Sequence, residues 1–85
     1  MYCFHGTDKK SAHLISKHGF NPKTYFAYHL EDALKFGGNY IFMVEFEENL
    51  FQGESDGWQF WSINPISVNR IKSLVKYTKE VIVRN

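Results

Sequence analysis

The chain holds one cysteine, two prolines and, among ten basic residues, two arginines, Arg70 and Arg84. A single thiol, Cys3, cannot form an intrachain disulfide framework and suits a reducing compartment. Its apolar neighbours Tyr2 and Phe4 point to a buried, inert sulfur. Two arginines do not make the guanidinium cluster expected of a protein that grips several phosphates. Ten basic against nine acidic side chains leave a formal net charge of +1, so no strong field steers the domain toward nucleic acid or an anionic membrane. Neither is expected as a partner. No apolar run approaches the roughly eighteen residues of a membrane span, and no basic segment followed by an apolar one marks a signal peptide. The cytoplasm is the expected location. Metal ligands are sparse: Cys3 and His5 share a strand face, but His13 and His18 do not share a helix face, so no metal site is expected.

Aromatic residues, by contrast, make up 18% of the chain, with eight Phe and five Tyr. They let a short chain fill a small core. The 85 residues form a single domain, 1–85, that buries about 60–65% of its unfolded surface. Tyr2 to His5 reads as a strand ending at Gly6. Thr7 or Asp8 then caps a helix running to about Lys17, with Ala12, Leu14 and Ile15 as its buried stripe and Gly19 closing it in the left-handed conformation. Thr24 to Tyr28 is β-prone, and Glu31 to Phe36 reads as a short helix ended by Gly37-Gly38. Asn39 to Phe46 alternates as a strand apolar on both faces, hence central. Glu47 to Gly57 reads as an acidic loop. Trp58 to Ile63 follows as a strand that sends Trp58 and Trp61 to opposite faces. Ile71 to Tyr77 with Val81 to Val83 reads as a closing hairpin around Thr78-Lys79-Glu80.

His5-Gly6-Thr7, then Tyr25-Phe26-Ala27, then Phe36-Gly37-Gly38 is the most informative series. It supplies a histidine, an approachable stretch of main chain and two aromatic rings, the parts needed to hold a nicotinamide nucleotide. Gly6 lacks a Cβ and lets a ligand near the backbone, where a flat carboxamide can pair with N–H and C=O. Taken singly, His5 also reads as a hydrogen-bonded structural histidine, Tyr25 and Phe36 as core aromatics, and Gly6 as a turn.

With Gly19-Phe20 between them, these motifs resemble the ADP-ribosyltransferase fold, in particular its diphtheria-toxin and poly(ADP-ribose) polymerase branch, which carries a His-Tyr-Glu triad. The resemblance implies an α+β domain of two small antiparallel sheets with one or two short helices, and NAD as substrate. It implies that His5 contacts ribose hydroxyls and that Gly6 pairs with the nicotinamide carboxamide, with Thr7 part of the same nucleotide-holding motif. Tyr25 would pack on one face of the nicotinamide, and Phe36 stands where the family has a stacking tyrosine. Trp58-Gln59-Phe60-Trp61 and Ile66 to Ile71 resemble the strand and following segment that present the catalytic glutamate. Gln59 takes that glutamate's position, and Ala33 that of the serine with which the polymerases hold the carboxamide.

Glutamine keeps a contact to the ribose hydroxyl but brings no charge to an oxocarbenium-like cation. Loss of one such preorganised contact costs on the order of 3 kcal/mol of transition-state stabilisation. The substitution argues first against polymer synthesis. The expected activity is therefore mono-ADP-ribosylation of an acceptor, expected to be a protein, with nicotinamide release and with His5, Tyr25 and Gln59 as catalytic residues. The alternative is a catalytically inactive module that binds a nucleotide, ADP-ribose or a protein through the same cleft. Glu54 or Asp56 could reach in from the loop to replace the missing acid. A carboxylate in the cleft favours the transferase; a cleft filled by Trp58 or Trp61 favours the binding module. The shortage of arginine speaks against an RNA 2′-phosphotransferase, a relative by fold.

Overall fold

The computed structural model describes residues 1–48, 51–54 and 57–77, with the backbone alone at 52–54. Strand β1 (Tyr2–Thr7) leads into helix α1 (Lys9–His18), then β2 (Tyr25–Ala27) and helix α2 (Leu30–Ala33), which tightens into a 3₁₀ turn at Leu34–Phe36. Strands β3 (Tyr40–Glu45), β4 (Phe51–Glu54) and β5 (Gln59–Ser62), a 3₁₀ turn at Val68–Arg70 and strand β6 (Ile71–Lys76) complete the order. The strands join in one α-flanked antiparallel sheet, β4-β5-β2-β1-β3-β6, where two small sheets were expected. The Val81 to Val83 half of the expected hairpin lies outside the described residues, as do Asp56 and the side chain of Glu54. No helix among the described residues is long and apolar enough to cross a membrane.

A narrow junction in the middle explains how one sheet takes the place of two. β1 pairs with β3 at six positions, from Tyr2↔Glu45 to Thr7↔Tyr40, but with β2 only at Phe4↔Ala27. Past that pair the ladder stops. The Tyr25 carbonyl instead accepts a hydrogen bond from His5 Nδ1 at 2.7 Å. Elsewhere the chain departs from the sequence reading for local reasons. The expected acidic loop contains β4, because Phe51 is buried and the strand pairs with β5 through a register shift between Gln52 and Glu54 that absorbs Gly53. Trp58 precedes β5, so strand alternation does not govern it. It packs against Ala27, Ala33 and Ile41, while Trp61 stands opposite Tyr25, so both indoles lie on the Ala27 side of the sheet.

The two sheet faces carry different cores. Beneath α1, Cys3, Phe20, Phe26, Phe42, Val44, Phe51, Phe60 and Ile66 are buried together. Phe26 touches the rings of Phe20, Phe51 and Phe60 at centroid distances of 5.0, 5.1 and 5.9 Å. The other face buries the smaller set Ala27, Ala33 and Ile41 beneath α2. Gly6 is needed there for packing, since a Cβ at that position would run into the Ala33 carbonyl. It lies inside β1 and does not end it.

Asp8 caps α1 by accepting a hydrogen bond from Ser11 N–H at 2.8 Å. At the other end Gly19 has φ 81° and ψ −166°, so φ is positive as glycine permits while ψ is extended and not the left-handed helical value expected. Its N–H still bonds the Ile15 carbonyl at 2.8 Å. Of the expected α1 stripe, Ala12 is buried and Ile15 half-buried, but Leu14 is 51% exposed.

Candidate functional site

Where β1 and β2 part, the sheet opens into a cleft of about 660 Å³, within the range of about 300–1,000 Å³ usual for small-molecule sites. β1 contributes His5, Gly6 and Thr7 to its wall, β2 contributes Tyr25, and the 3₁₀ turn after α2 contributes Phe36. Five residues from three separated motifs thus meet at one place. Helix α1 adds Ser11, Leu14, Ile15 and His18. Their spacing of three, four and seven residues puts them on one helix face, which is why Leu14 borders the cleft and is not core.

His5 is the best-determined member. Phe20 meets its ring edge-on at 5.4 Å, Phe26 lies tilted at 5.6 Å and Phe36 stacks on it at 5.7 Å. This apolar enclosure pushes the pKa below the ordinary histidine value, and the hydrogen bond to the Tyr25 carbonyl opposes the shift without cancelling it. The imidazole is therefore neutral at neutral pH. A carbonyl only accepts, so Nδ1 carries the proton and Nε2 is left as an acceptor. An acceptor of that kind suits a sugar hydroxyl.

The aromatic residues divide into two groups. Phe36 stacks on both His5 and Trp58, the latter at 5.6 Å, and the Lys35 ammonium sits 4.6 Å from the Trp58 ring centroid. This row ties the turn after α2 to the end of β1. Tyr25 is 42% exposed and leans on Trp61 at 5.9 Å. Tyr25 borders the cleft, and its ring, on the Ala27 side of the sheet with Trp61, contributes little to the core. Neither tryptophan fills the cavity.

Gln59 is placed differently from the other predicted residues. It lies half-buried on β5 opposite Ala27, and Trp61, not Gln59, faces Tyr25 across the ladder. Gln59 does not border the cleft. Among the described residues no carboxylate, lysine or arginine borders it either, and no three His, Cys, Asp or Glu side chains converge as a metal site. Cys3 is buried on the α1 face and desolvation pushes its thiol up to about 12, which leaves it without nucleophilic character at neutral pH.

Sequence reasoning missed the α1 face, Phe20 and Thr24 as parts of this wall. The signal for α1 was present. Only Asp8 separates β1 from α1, so the helix must fold back beside the strand, and Ser11, Leu14, Ile15 and His18 mark the facing stripe. Thr24 carried no such signal, and its hydroxyl is engaged by the Asn21 carbonyl at 2.5 Å. Comparison with protein-family models, with curated proteins and with solved structures finds no significant match.

Proposed function

We propose that the cleft takes NAD as substrate and that the protein is an ADP-ribosyltransferase-like enzyme moving one ADP-ribose to an acceptor, expected to be a protein of the cytoplasm. The observation that carries this reading is the meeting of His5, Gly6, Thr7, Tyr25 and Phe36 around one cleft at the parting of β1 and β2. In the reaction the bond between C1′ of the ribose and nicotinamide breaks, its electron pair neutralises the pyridinium nitrogen, and the acceptor attacks C1′ and loses a proton. The main chain at Gly6 would bind the carboxamide, Tyr25 and Phe36 would flank the ring, and His5 Nε2 would accept from a ribose hydroxyl. Gln59, half-buried on β5 and off the cleft wall, brings no charge to the ribose, and the lack of a carboxylate there limits the rate by roughly a hundredfold or more.

A second reading has its own support. With no carboxylate on the cleft wall among the described residues, nothing there offsets a developing cation, which favours a module that binds NAD or ADP-ribose without turnover. One experiment separates the two: thermal unfolding with and without millimolar NAD, with nicotinamide measured in the same samples. NAD at about 100 times its dissociation constant adds roughly 2.7 kcal/mol, on the order of 10 °C for a domain of this size. Stabilisation with nicotinamide release that His5→Ala abolishes supports the transferase. Stabilisation without release supports the binding module, and absence of both removes NAD from the account.

A further inference from the structure

Dinucleotides carry their negative charge in the middle, at the pyrophosphate, and a cleft must place that charge somewhere. Burying it among uncharged groups without donors or cations is strongly unfavourable. Helix N-termini are the usual seat for phosphate, but α1 closes its own with the Asp8 carboxylate, which accepts the Ser11 N–H. Hydrogen bonding from Ser11, backbone first, holds the Asp8 pKa below its ordinary value, so the group is an anion at neutral pH. That end of the cleft repels phosphate. His5 offers no N–H, because its one proton goes to the Tyr25 carbonyl. The other basic side chain on the cleft wall is His18, in the last turn of α1 beside Lys17. From Ser11 to His18 the helix rises about 10 Å, and the side-chain charges at its ends run from negative at Asp8 to positive at Lys17, beside His18.

Resting on the NAD reading of the same cleft, we propose that this gradient sets the direction in which the ligand lies. The phosphates occupy the His18 end, at the C-terminal turn of α1, and the uncharged carboxamide and its ribose occupy the Gly6–Phe36 end. His18 is then a specificity residue for phosphate-bearing ligands and makes no contact with nicotinamide itself.

Affinities of NAD and of nicotinamide, measured by calorimetry at low salt, test this in the wild type and in His18→Glu, His18→Lys, Asp8→Asn and His13→Glu. His13 lies on the same helix but lines a separate, smaller hollow with Tyr40 and Leu74, so its variant controls for net charge. Single charges at an exposed site change affinity about two- to fivefold. His18→Glu should weaken NAD by that factor and His18→Lys strengthen it, with nicotinamide unchanged and His13→Glu close to wild type. An NAD affinity indifferent to both His18 variants overturns the proposal, as does a parallel loss of nicotinamide. Asp8→Asn tightening NAD more than His18→Lys would put the phosphates at the opposite end and overturn it too. If wild-type protein binds neither NAD nor nicotinamide, the NAD reading falls and this inference falls with it.

Discussion

The halves of the sheet on either side of the β1–β2 junction are built to different standards. β3 is bound along its length, to β1 at six positions and to β6 at five. β2 meets β5 at three positions and β1 at one. Main-chain pairing therefore holds each half together and contributes little between them. The halves are joined by side chains, above all by the rings of Phe20, Phe26, Phe42 and Phe60 under α1, and the cleft exists because pairing stops while packing continues. A site placed there sits against a rigid strand, β1, on one side and a lightly held one, β2, on the other.

Removing the packing should break the arrangement most severely. Phe26 is fully buried on β2 and reaches across the junction to Phe20 and to His5. Phe26→Ala should cost about 3–5 kcal/mol, a large part of a stability on the order of 5–15 kcal/mol. The expected outcome in chemical denaturation is loss of most or all of the native baseline. A midpoint close to wild type would show that the halves are joined by something other than this ring.

A smaller effect is expected at the hydrogen bond that replaces the ladder. His5→Phe leaves the Tyr25 carbonyl without its partner and should destabilise by about 1–3 kcal/mol, whereas His5→Asn keeps a donor near the Nδ1 position and should lose less. The wild type should also depend on pH in a particular direction. The folded pKa of His5 lies below the ordinary 6.5, so just below pH 6.5 the unfolded chain binds a proton that the folded chain refuses. Stability from this group is full above that value and is lost as pH falls through the folded pKa. His5→Asn should flatten that part of the profile in denaturant titrations. The contribution of Asp8, whose folded pKa lies below 3.8, is lost in a separate and more acid window.

How much of this was legible in the sequence depended on whether a residue's role was local or set by pairing. The cap at Thr7 or Asp8, which is Asp8, the central β3 and the buried Cys3 follow from neighbours in the chain and were legible. β4 was not, because Gly53 and the surrounding acids give the composition of a loop while the strand is held by a bulged pairing with β5. The meeting of His5, Tyr25 and Phe36 was legible as a series of short motifs, with His5 inside β1, Tyr25 opening β2 and Phe36 ending the turn after α2. The position of Gln59 was not, because it depends on the antiparallel register of β5 on β2, which puts Ala27 opposite Gln59 and Trp61 opposite Tyr25. Register is set by the partner strand as much as by the strand itself.

Tyr25 gives the sharpest contrast between the two roles of the junction. Its backbone carbonyl takes the His5 hydrogen bond, but its side chain is 42% exposed and leans on Trp61, which does not border the cleft. Tyr25→Leu leaves that carbonyl in place and removes little buried area, so stability should stay within about 0.5 kcal/mol of wild type. Affinity for NAD should nevertheless fall, because a ring stacked on the ligand contributes about 0.5–1.5 kcal/mol beyond its area, or roughly two- to tenfold. Unfolding midpoints and NAD affinity measured on one preparation separate the two quantities. A variant that unfolds early and binds poorly would make Tyr25 part of the joint between the halves. One that is stable and binds as tightly as wild type would remove its ring from the ligand-binding wall, leaving Phe20 and Phe36 as the aromatic rings of the cleft.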